Sequence, residues 1–238
     1  MVSRSPVESN GMNAQELVEL RITVRPSPET NDHEVCLTAE GESLIGHFSD
    51  GLIGMDPDDL LSDPCPLRAE DSSRRVVIGR CSCGIVGCGS VEIEIRRDHD
   101  EVIWMAGDSS RQVRFRAAQY DAEVERALLD HTWETPDRTA ARLIALAVDR
   151  TALRQKGFEL SWVSGRCRDG MMKAALILTP GPYQVLVGVP WNGKDIEVIV
   201  ERFKRVLSES PEKWPNVQCN PQAGGLGPPP IKWGVRLR

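Results

Sequence analysis

The 238-residue chain has no apolar run near the roughly 20 residues that a membrane-spanning helix requires, so no membrane association is expected. Its first residues, MVSRSPVESNGMNAQ, lack the apolar stretch of a secretory signal. Residues 1–13 are expected to be a disordered leader, with Met12 as a second candidate start. Positive charge is in deficit: 29 Lys and Arg stand against 35 Asp and Glu, a formal net charge of -6. Partners gripped mainly through phosphates demand clustered cations, so nucleic acid is not expected. The cations are mostly arginine, as in GC-rich bacterial genomes. An even cysteine set is also missing. Cys36, Cys65, Cys81, Cys83, Cys88, Cys167 and Cys219 are odd in number and unevenly spaced. Without an export signal, that pattern fits a reducing compartment, and a cytoplasmic protein is expected. There is no G-x-S-x-G elbow, Walker loop, G-x-G-x-x-G after a strand, or H-E-x-x-H. No catalytic set is therefore assigned.

What is present predicts an α+β fold with antiparallel sheets. Val18, Leu20, Ile22 and Val24 alternate with polar residues and predict a strand. Residues 34–39 and 43–48 read as two short strands around Glu40-Gly41, and Asp56-Pro57 starts a short helix. Residues 74–80, 91–96, 102–105 and 112–116 continue as a β-meander. Tyr120, Val124 and Leu128 form a helical stripe, and Thr135-Pro136-Asp137 caps a second helix that runs to Gly157. Strands over 158–163, 171–179 and 183–189 make a three-stranded meander, covered by a helix from Ile196 to Leu207. The tail from Asn220 reads as a loop, and alternating Ile231, Trp233, Val235 and Leu237 read as an edge strand. This divides the chain into a β-rich region over 14–117 and an α+β region over 118–238. The break is placed in a window of 117–136, and one continuous domain is the alternative.

The segment RCSCGIVGCG, Arg80 to Gly89, concentrates three cysteines and three glycines. If strands 74–83 and 88–96 pair through residues 84–87, Cys83 lies opposite Cys88, and Cys81 points to the same face. Opposite pairs have Cβ atoms about 4.5–5.5 Å apart, so the three sulfurs are expected to converge. Three readings remain open. Cys81, Cys83 and Cys88 are candidate zinc ligands, with a fourth to come from Cys65, Cys36, His33, His47 or His99. The second reading is a Cys83–Cys88 disulfide across the hairpin with Cys81 as an exchanging thiol, and the third is small buried packing residues. The segment, with the strand and VIW that follow it, resembles uncharacterised bacterial proteins carrying C-x-C-G-x-x-G-C-G before a β-strand. The resemblance spans residues 74–105 and implies no activity.

Other constellations have plainer explanations. Asp56, Asp58, Asp59 and Asp63 lack the spacing of a calcium loop and suit a helix N-terminus. Asp98-His99-Asp100 falls in a predicted turn, and the arginines at 111, 114, 116, 138, 142, 150 and 154 are interleaved with acids. Trp191 and Asn192, in the turn PWNGKD, are a candidate interaction surface. The leading expectation is a non-enzymatic binding or interaction protein, of an accessory or immunity type, with a protein partner. A structural zinc protein and a thiol-dependent enzyme are the alternatives.

Overall fold

The computed structural model describes residues 16–27, 32–83, 88–107, 111–179 and 183–222. The fold is α+β, with antiparallel sheets dominating. The chain forms two compact units, residues 1–133 and 134–238.

In the first unit, strands β1 (Leu17–Val18) and β2 (Leu20–Ser27) are followed by β3 (Asp32–Ala39) and β4 (Glu42–Ser43). Helix α1 (Leu44–Phe48) leads to β5 (Ile53–Gly54) and to α2 (Pro57–Leu60), whose N-cap is Asp56. Strands β6 (Arg74–Arg80), β7 (Ser90–Asp98), β8 (Glu101–Ala106) and β9 (Arg111–Arg116) run straight into helix α3 (Ala117–Leu129). Among the described residues they build a six-stranded sheet ordered β1-β9-β8-β7-β6-β5 and a three-stranded sheet ordered β2-β3-β4. All pairings are antiparallel except β1 with β9.

The core follows from the alternation. Val91, Ile93 and Ile95 of β7 are buried while Glu92 and Arg96 stay in water. One face of α3 brings Tyr120, Val124 and Ala127 onto this core. Trp104, Phe115 and Tyr120 pack ring against ring, with centroids 5.2–6.0 Å apart. The Tyr120 hydroxyl accepts from Trp104 Nε1 at 3.2 Å and donates to the Leu67 carbonyl at 2.6 Å. Tyr120→Phe would leave both groups unpaired in a dry core. It is expected to lower stability by about 1–3 kcal/mol, read as an earlier urea midpoint at unchanged slope.

Helix α3 also completes the free edge of β2. The Gln119 amide accepts from Leu20 N at 3.0 Å and donates to Leu20 O at 2.7 Å. Glu123 accepts from Ile22 N at 2.7 Å, and Arg126 donates to Ile22 O and grips Glu123. Side chains at i, i+4 and i+7 share one helix face, so three of them do the work of a neighbouring strand.

In the second unit, helices α4 (Pro136–Ala147) and α5 (Arg150–Gln155) precede β10 (Phe158–Val163), β11 (Met171–Leu178) and β12 (Tyr183–Pro190). Helix α6 (Ile196–Ser208) and β13 (Val217–Pro221) follow, and the sheet order is β10-β11-β12-β13. Phe158, Met172, Leu176, Val185, Val187 and Phe203 are among the fully buried side chains of its own core.

Several expectations need correction. Residues 43–48 are a helix beyond Ser43, not a strand: Ser43 Oγ accepts from Gly46 N at 3.1 Å, capping a turn that buries Leu44, Ile45 and Phe48. The expected helix over 135–157 is two helices, because Asp149 recaps the chain by accepting from Thr151 N and Ala152 N. The C-terminal meander has four strands, since Val217–Pro221 pairs with Tyr183–Val187. The division falls after Trp133, within the expected window but past 117, because α3 packs on β2, β8 and β9. The expected leader and the strand over 231–237 lie outside the described residues, as do residues 180–182 between the second and third strands of the C-terminal meander.

Candidate metal centre

The root of the cysteine hairpin is built before any thiol is reached. Antiparallel rungs join β6 to β7 up to Arg80↔Ser90, with a bulge between Val77 and Gly79. On the other flank β5 pairs Ile53 with Arg80 and Gly54 with Gly79. One more rung follows, as Cys81 N donates to Gly89 O at 2.9 Å. Cys81 therefore lies opposite Gly89. Continued in that register, Cys83 does not face Cys88, contrary to the sequence expectation, and β6 ends at Arg80 rather than at residue 83.

The convergence itself is present. The Sγ atoms of Cys81, Cys83 and Cys88 all lie within 4.8 Å of one another. The Cys88 thiol donates to Cys81 Sγ at 3.6 Å. Zinc–sulfur bonds of about 2.3 Å at tetrahedral angles place sulfurs about 3.8 Å apart, so the triplet needs only small adjustment to share one ion. Cys81 is half-buried, and Cys83 and Cys88 are exposed. Residues 84–87, outside the described set, are Gly, Ile, Val and Gly and carry no ligating side chain.

Charge explains why a cation suits this group. Its Cys83 and Cys81 neighbours push the Cys88 thiol up to about 11, because they accept its proton as a hydrogen bond and repel its anion. Three adjacent thiolates repel one another until a positive ion sits among them. For Cys88 the same direction disfavours a nucleophilic role, which needs a depressed thiol pKa.

None of the five residues proposed as a fourth ligand joins the group. Every cysteine and histidine of the chain is described, and among the described residues no other ligand atom falls within the same 4.8 Å. Cys65 is buried and donates to the Leu60 carbonyl at 3.2 Å. Cys36 sits in β3 across from Thr23. His33 stacks 5.7 Å from Trp133. His47 lies in α1, its pKa lowered by burial and by Arg111. His99 occupies the turn after β7, whose nine residues put it on the order of 30 Å from Ser90. Spacing alone could not exclude these five, because each exclusion depends on tertiary placement.

Burial pushes Cys36, Cys65 and Cys219 up, and burial together with the Asp137 carboxylate pushes Cys167 up to about 12. The residues of the expected Trp191–Asn192 surface each hold a structural contact. Trp191 is buried, and its Nε1 donates to Asp137 Oδ1 at 2.7 Å. The Asn192 side chain accepts from Lys194 N and Asp195 N, closing the turn before α6. Both residues border a shallow groove of about 390 Å³ with Val198 and Arg202. The support given by β5 is invisible to sequence reasoning, since a two-residue strand has no periodicity.

No helix among the described residues is long and apolar enough to cross a membrane. Comparison with protein-family models, with curated proteins and with solved structures finds no match to this chain.

Proposed function

We propose that the chain is a non-enzymatic binding protein whose ligand is a thiophilic metal ion such as Zn²⁺, held by Cys81, Cys83 and Cys88. One observation carries this reading: three thiols from both sides of a hairpin end converge within 4.8 Å. Thiolates select zinc and other soft cations over Mg²⁺ or Ca²⁺. The reading requires the thiols to stay reduced, which favours the cytoplasm of a bacterial cell. A thiol-dependent enzyme is less well supported, because no imidazole accompanies the cluster among the described residues. Zinc is not needed to pin the meander, since the rungs from β5 and β7 already hold the hairpin root.

The test is metal titration of reduced, chelator-stripped protein against a chromogenic competitor. One ion per chain is expected. Losing even an outer-shell partner costs metal sites about 10–100-fold, so Cys81→Ser, Cys83→Ser and Cys88→Ser should each weaken binding by about 100-fold. Cys65→Ser should leave the stoichiometry unchanged. Far-ultraviolet circular dichroism should be the same with and without metal. Parent-like affinity in Cys81→Ser, Cys83→Ser and Cys88→Ser would refute the assignment.

A further inference from the structure

We propose that this metal site is open on one side, and that its fourth ligand is a thiolate supplied from outside the chain, so that metal enters and leaves by ligand exchange. The inference rests on the metal-binding reading and adds how the site is completed.

Its basis is a census of donors. All histidines and cysteines lie in described residues, and among the described residues only Cys81, Cys83 and Cys88 bring three ligand atoms together. The four residues between Cys83 and Cys88 offer none. A structural zinc site is closed by four protein ligands. Here three sulfurs are at hand, and two of them, Cys83 and Cys88, face water. The remaining coordination position is therefore reached from solvent. Cys₄ is an ordinary ligand set for zinc, so a thiolate can complete the three sulfurs.

The exchange balances without any change of oxidation state. An incoming thiol releases its proton to solvent and forms a metal–sulfur bond at the open position. One bond from the metal to a protein cysteine then breaks, and that sulfur takes up a proton. The hairpin root does not depend on the ion, because Cys81 N–Gly89 O and the β5–β6 rungs are backbone bonds. The metal can thus leave without unfolding its holder.

Cobalt(II) is the probe, loaded into the reduced full chain without oxygen, with its ligand-field bands recorded. Dilute protein should show a three-sulfur spectrum that shifts saturably toward four sulfurs as 2-mercaptoethanol is added, with one thiol taken up per metal. Transfer of the metal to a chelator should accelerate in the same titration. In a second arm the protein alone is concentrated. A four-sulfur spectrum that grows with concentration and doubles the mass would assign the incoming thiolate to a second copy, whereas a response to the small thiol alone assigns it to a diffusible one. The inference is overturned if the bands ignore added thiol, or if Cys65→Ser, His47→Gln or His99→Gln alters the starting spectrum. Tight cobalt binding with such a closed spectrum would leave the metal reading standing and sink only the open position. No cobalt band at all would sink both.

Discussion

Gly54→Ala is expected to lower the stability of the first unit by about 3 kcal/mol or more, at the upper end of what overpacking costs. A Cβ at this position would lie 2.1 Å from the Val35 carbonyl oxygen and 2.9 Å from its carbon. Both are backbone atoms of a strand paired along its length with β2, so no side chain can swing aside. Val35 N also donates to Met55 O at 2.9 Å, tying the two segments from the other direction. Backing away would break the bond from Gly54 N to the buried Glu34 carboxylate at 3.1 Å. The effect should reach the thiols, because β5 flanks the last rungs before Cys81. Metal affinity should fall together with the urea midpoint. A variant within 1 kcal/mol of the parent would mean that β5 is free to shift.

Glu123→Ala is expected to cost about 2–4 kcal/mol, since it strips the buried Ile22 N–H of its acceptor and Arg126 of its main partner. The cost is below that of a wholly buried pair because Arg126 is half exposed. The pH dependence follows from two opposing influences. Burial pushes the Glu123 carboxyl up, but Arg126 and the Ile22 N–H more than offset it and hold it below its ordinary value. A carboxyl depressed in the folded state stabilises above its unfolded pKa, and that contribution disappears as pH falls through the folded value. Glu123→Gln should therefore be destabilised most near neutrality and converge on the parent in acid. Parallel stability curves from neutral pH to about pH 3, below the ordinary carboxyl value, would contradict this.

The parts legible in the sequence were those whose signal is local. Period two in residues 91–96, the Asp56-Pro57 and Thr135-Pro136 starts, and the apolar spacing from Ile196 to Leu207 each arise within one element. Residues 43–48 misled because a single helical turn buries Leu44, Ile45 and Phe48 in an order that short strands also show. Val217–Pro221 carried too little alternation to mark a strand, and its partner at Tyr183–Val187 supplies the reason it forms. The thiol convergence was readable because Cys81 and Cys83 share strand parity and Cys88 is returned by the hairpin. Its register was not, since the rung Cys81–Gly89 depends on how many residues the bend consumes. That no other cysteine or histidine joins the three among the described residues was beyond reach for a further reason: it is a statement about where all the other cysteines and histidines go.

The side chains of α3 that complete β2 have a consequence beyond folding free energy. A bare strand edge is a template on which other chains can add. Gln119, Glu123 and Arg126 occupy that template with side-chain groups, which offer no further strand edge on which to add. A helix lying along a sheet edge thus keeps that edge from pairing with other chains. Lifting α3 away would turn Leu20 and Ile22 from satisfied core residues into a seed for intermolecular β-pairing.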